Sequence, residues 1–123
     1  MINDSNLSDI YTIFSFDVEM YFGRNAGTTL KNIIEPVNAL INTATECGVQ
    51  FTFFFDAGHI NFLEKNKIYS TLCDAEYTAL SNLIKRLRRG NHDIQLHIHP
   101  HWEDATFNGA WQFNTSRFSS DAF

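Results

Sequence analysis

The residues with the most chemical potential lie in two short stretches. His97-Ile98-His99-Pro100-His101 packs three histidines into five positions, and Asp17-Val18-Glu19 sets two carboxylates two residues apart. Neutral imidazole nitrogens suit zinc and other borderline divalent ions, and a carboxylate can complete such a ligand set or move a proton. Along a straight strand His97 and His101 would stand roughly 13 Å apart at about 3.3 Å per residue, too far to share an ion bonded at ~2.0–2.1 Å. A turn after Ile98 brings them to one helical turn's separation, and Pro100 favours leaving regular strand pairing. His97 and His101 are therefore the expected co-ligands. Asp17 and Glu19 share one side of an extended chain, so one could hold the ion while the other acts as a base. The competing readings are a packing cluster of histidines that binds nothing, and a solvated strand end or helix cap for the carboxylates.

Three strands and two helices are needed to position these groups. Ile10 to Asp17 is rich in aromatic and β-branched residues and reads as a buried strand. Leu30, Ile33, Ile34, Val37, Leu40, Ile41 and Ala44 recur at helical spacing, Pro36 predicts that the regular helix begins or kinks there, and Gly48 is its stop. Val49 to Phe55 is nearly continuous in β-formers, as in a strand covered on both faces. A second helix is expected from Asp74, burying Tyr77, Leu80, Leu83, Ile84 and Leu87 and ending at Gly90 after a solvated basic turn. In Asp93 to His99, Ile94, Leu96 and Ile98 alternate with Gln95, His97 and His99, so the histidines share a face. Strand centres about 40 residues apart leave room for crossover helices, which predicts a parallel α/β fold. Ligands of such folds bind beyond the carboxyl ends of the strands, where both chemical stretches fall.

Composition narrows the function classes. The 123 residues carry 14 acidic and 9 basic side chains, a net charge of −5, which argues against a nucleic-acid footprint. Ordinary apolar content and 12 phenylalanines predict one globular domain over residues 1–123. Neither a secretory leader nor a run approaching the ~18 apolar residues of a membrane span is present, so a cytoplasmic location is expected. Cys47 and Cys73 show no C-x-x-C pattern and read as reduced thiols.

Three segments together resemble the polysaccharide deacetylases, the NodB-homology family also called carbohydrate esterase family four. They are SFDVE at 15–19, TFFFDAG at 52–58 and GNHDIQLHIHPHW at 90–102. The resemblance implies a partial (β/α) barrel, an α/β domain stopping after about three βα units. It implies metal-dependent hydrolysis of an amide C–N bond, in most members removal of acetyl groups from N-acetylated sugars. Asp17 takes the family's base position, and His97 and His101 its metal-binding histidines. Val18 stands where the common form has its acidic ligand. A variant branch with D-V-D or D-V-E uses the third residue, so Glu19 becomes the carboxylate ligand. That branch also contains hydrolases of small cyclic amides. One divalent ion is implied, zinc by default, with cobalt, nickel and manganese compatible with a His₂-carboxylate set.

The family domain runs to roughly 200 residues or more with about seven or eight strands, like related barrels. The arginine motif and the histidine that protonates the departing amine are therefore expected beyond Phe123, and the sequence reads as an N-terminal fragment or a truncated copy. The rivals are a remnant that binds metal or carbohydrate without turnover and a packing domain that binds nothing. Trp102 is expected either as a platform under a sugar ring or as packing, His99 as an outer partner or alternative ligand, His59 as a solvent-facing loop residue that could reach the rim. His92 and Trp111 read as structural. An isolated third strand would leave its edge open unless a hairpin from Trp102 to Phe113 covered it.

Overall fold

β1 (Ser15–Val18), β2 (Thr52–Asp56) and β3 (Asp93–His97) form a parallel sheet in the order β1-β2-β3. The structure is a computed structural model, and it describes residues 10–22 and 26–113. The expectations for the amino-terminal leader and for the end of the chain, Ser116 to Phe123, lie outside these residues. Between β1 and β2 a π-helical turn (Leu30–Ile34) runs into α1 (Glu35–Cys47). Between β2 and β3 come α2 (Ala57–Asn66) and α3 (Thr71–Arg89). A 3₁₀ turn (Pro100–Trp102) and a two-stranded hairpin, β4 (Thr106–Phe107) and β5 (Trp111–Gln112), follow. The parallel α/β class read from the sequence is the class observed.

Local chemistry explains the element ends. Pro36 has no N–H to give and sits in the first turn of α1, where none is needed, while the turn before it is wound wider. Gly48 ends α1 with φ +67°, a left-handed conformation that costs glycine little. The helix expected from Asp74 starts earlier, because the Ser70 side chain accepts the Cys73 N–H at 3.3 Å and leaves Asp74 in the first turn, facing the positive helix end. Arg86 of the basic turn is not merely solvated: its guanidinium bonds Asn38 and Asn42, tying α3 to α1. Cys47 and Cys73 are unpaired thiols.

The register aligns Asp17 with Phe54 and Phe54 with Gln95, then Asp56 with His97. Alternation therefore puts Asp17, Glu19, Asp56, His97 and His99 on one face and Val18, Phe53 and Phe55 on the other. That second face is the core, where Phe53 and Phe55 pack with Val37 and Ile41 of α1, Leu63 of α2 and Leu80, Leu83 and Leu87 of α3. β1 departs from the buried strand expected over Ile10 to Asp17: it begins only at Ser15, and Ile10, Tyr11 and Ile13 before it are exposed, since none of the described elements buries them. On β3 the apolar side of the alternation is also open, with Leu96 65% and Ile98 80% exposed. The hairpin does not cover it. β5 bonds instead to the chain following β1, where Trp111 exchanges backbone bonds with Ala26 (2.7 Å) and Gly27 (2.9 Å).

A buried polar knot fixes that attachment. Glu76 accepts from Thr29 Oγ1 (2.7 Å), Thr29 N (3.3 Å) and Trp111 Nε1 (2.8 Å). Glu76→Ala should lower stability by about 2–4 kcal/mol, because three donors lose their acceptor where water has little access. Urea unfolding measures this; a loss within about 0.5 kcal/mol, the size of an ordinary surface change, would mean that the knot holds nothing.

Candidate metal centre

Each strand delivers its polar residue to the same rim for a different local reason. β1 stops at Val18, so Glu19 leaves the strand end on the Asp17 side. β3 stays extended through His99, whose backbone is at φ −123° and ψ 133°, so His97 and His99 point the same way. Their rings lie 4.8 Å apart and nearly perpendicular. Glu19 Oε2 stands 3.1 Å from His97 Nε2 and 2.6 Å from His99 Nε2, and the three ligand atoms all fall within 4.8 Å of one another.

The fit to a cation rests on how these atoms meet. Glu19 Oε2 and His97 Nε2 are shut off from solvent, yet neither has a partner in hydrogen-bond geometry. Two such orphaned atoms would each cost about 1–3 kcal/mol, and an ion between them removes the cost. Tetrahedral ligands bonded at ~2.0–2.1 Å are about 3.3 Å from each other, close to the 3.1 Å between Glu19 and His97, whereas the 2.6 Å between Glu19 and His99 has to widen to admit an ion. Asp17 Oδ1 faces the other nitrogen of His97, Nδ1, at 3.7 Å, with its own side chain 69% exposed. One imidazole thus stands between a candidate ligand site and a water-accessible carboxylate.

The cluster of candidate ligands differs from the expected set at a single position. His99 joins Glu19 and His97; His101 does not. The 3₁₀ turn at Pro100 carries the His101 ring inward, where it is fully buried with Nε2 3.7 Å from Asp56 Oδ2. It remains one ring away, 5.3 Å from His99, and Phe22 lies edge-on to both at 5.1 and 4.9 Å. Burial pushes the His101 pKa down, with Asp56 opposing and His99 reinforcing the shift.

Asp56 had no role in the sequence reading and is central here. It caps α2 by accepting from Gly58 N at 2.9 Å, accepts from Trp102 Nε1 at 2.8 Å, and faces His101. The available signal was an aspartate directly between an unbroken apolar strand and a D-x-G start to a helix. Trp102 is packing rather than an exposed platform: it is buried and stacks on His59 with ring centres 4.1 Å apart and planes 6° apart. His59 is therefore not a loop residue in solvent but a helical residue 1% exposed. His92 is structural as expected, accepting from Phe51 N at 3.1 Å through Nδ1.

His59 links the site to the buried knot. Thr29 gives its single hydroxyl proton to Glu76, so the 3.2 Å contact with His59 Nε2 requires that nitrogen to carry the donor hydrogen. Burial, reinforced by the nearby His101, lowers the His59 pKa from 6.5 to about 3. Between those two values the unfolded chain takes up a proton that the folded chain refuses. Stability is thus complete above pH 6.5 and falls as pH drops toward 3, by up to ~1.4 kcal/mol per pH unit. The urea midpoint should be clearly lower at pH 5 than at pH 7, and the difference should shrink in His59→Phe; equal midpoints in the parent would contradict a neutral His59.

Among the described residues no helix is long and apolar enough to cross a membrane. No family model, curated protein or solved structure matches the chain.

Proposed function

We propose that the chain carries the base and metal site of a hydrolase that cleaves an amide C–N bond, with N-deacetylation of an N-acetylated sugar as its reaction. The observation that carries this reading is the convergence of Glu19, His97 and His99 with orphaned buried atoms, beside a water-accessible Asp17. Glu19, His97 and His99 would hold a divalent cation, zinc by preference. Such an ion supplies polarisation of the amide carbonyl and acidification of water.

Of what else the reaction needs, the residues assigned here supply the base and the walls of the site; the donor that protonates the departing amine is not among them. Asp17, exposed at the mouth, takes a proton from the attacking water. Asp56 and Trp102 hold the His101 segment against the site, and Phe22 walls it from one side. The parallel order β1-β2-β3, with ligands at the carboxyl ends, supports reading the sheet as the first staves of a (β/α) barrel.

The test is acetate release from N-acetylglucosamine and its oligomers by zinc-loaded protein. Zinc-dependent release supports the reading. Zinc uptake with no release from these sugars, and no opening of a small cyclic amide, would make the chain a metal-binding protein without turnover.

A further inference from the structure

The segment that carries Asp17 and Glu19 brings a third polar side chain to the rim. Val18 and Met20 are buried in the core, 4% and 1% exposed, so the alternation of β1 runs on past its end and turns Asp17, Glu19 and Tyr21 to the opposite side. Tyr21 is 74% exposed. The ring of its neighbour Phe22 lies 5.1 Å from that of His99 and 4.9 Å from that of His101, which holds the backbone here against the histidine side of the centre. At ~3.3 Å per residue, Asp17 and Tyr21 each stand roughly 7 Å along the chain from Glu19, one on either side of it. The candidate metal centre is thus flanked by an exposed carboxylate and an exposed phenol.

Cleaving an amide calls on both kinds of group. A base takes a proton from water, and an acid must give one to the nitrogen, because an amine anion is too basic to depart. None of the described histidines around the centre is placed for the second task. His97 and His99 turn Nε2 to Glu19, where an ion would use them, and His101 and His59 are buried, each 1% exposed, against Asp56 and Trp102. A phenol carries a proton to give and stands in the open at the rim.

We propose that Tyr21 is the catalytic acid that protonates the departing amine. The inference rests on the hydrolase reading above and adds the donor which that reading lacks. Water adds to the carbonyl carbon as Asp17 takes one of its protons. The C–N bond then breaks, its electron pair stays on nitrogen, and Tyr21 Oη passes its proton to that nitrogen. Asp17 gives its proton up to solvent and the tyrosinate regains one, so amide and water become carboxylic acid and amine with the protein unchanged.

Tyr21→Phe tests the assignment; it removes one hydroxyl from an exposed ring, so folding is not at stake. Zinc-loaded parent and variant are compared on N-acetylglucosamine oligomers and on para-nitrophenyl acetate, an ester whose leaving group departs as an anion without a proton. Acetate release from the amide should fall about 10²- to 10⁴-fold, while release from the ester falls no more than a few-fold and zinc affinity stays within a few-fold of the parent. An unchanged amide rate in the variant would overturn the role of Tyr21 and leave the hydrolase reading standing. Equal losses on both substrates would also overturn it, since a residue that binds substrate or shapes the site slows both. A parent that releases no acetate from the amide removes the hydrolase reading, and the acid with it.

Discussion

His97→Ala should lower zinc affinity by more than about 100-fold, beyond the 10- to 100-fold usually lost when only an outer partner of a ligand is removed. His97 is the residue on which the site converges. Its Nε2 faces Glu19, its Nδ1 faces Asp17, and its ring lies against His99. Removing it leaves one histidine and one carboxylate, too few to hold a borderline ion against water. His99→Ala should match this loss. His101→Ala should cost less, since its ring is turned toward Asp56. Competition titration with a zinc chelator reads all three. Equal and large losses for His97 and His101, with His99 dispensable, would restore the ligand pair expected from the spacing alone.

Asp17→Asn should reduce turnover by about 10²- to 10⁴-fold while leaving zinc affinity within a few-fold of the parent. The substitution keeps shape and removes proton acceptance. Asp17 could otherwise act only through His97, holding Nδ1 so that Nε2 faces the ion. The 3.7 Å separation is too long for a hydrogen bond, and the exposure of the carboxylate suits contact with water. A purely orienting Asp17 would show itself as a 10- to 100-fold fall in zinc affinity with a matching fall in turnover at limiting zinc, cured by excess zinc. A base would not be cured by metal.

The parallel α/β class was legible because strand centres about 40 residues apart leave room for crossover helices, and the carboxylate-histidine rim because it follows from period two. Asp17 and Glu19, like His97 and His99, are two apart in extended chain, so sharing a face is dictated by backbone geometry. Which histidine pairs with His97 was not legible. The expected turn does occur, but it begins after His99 rather than after Ile98, and that shift of one residue keeps His99 in the site and sends His101 inward. α2 was missed because its apolar signal is thin; only His59 and Leu63 are buried, and the rest of Ala57–Asn66 includes a glycine and two asparagines. The roles of Asp56, Thr29 and Glu76 come from partners tens of residues away, as in the Thr29–Glu76 and Asp56–Trp102 bonds. No local pattern encodes such pairs. The exposed Leu96 and Ile98 ran against their alternation for a related reason: burial belongs to what packs on a strand, and none of the described elements covers them.

The most direct test of the metal centre is a crystal of the zinc-loaded protein measured on both sides of the zinc absorption edge. A single anomalous peak about 2.0–2.2 Å from Glu19 Oε2, His97 Nε2 and His99 Nε2 is the predicted result. A peak bonded to His101 in place of His99, or no peak from protein that remains folded, would contradict it.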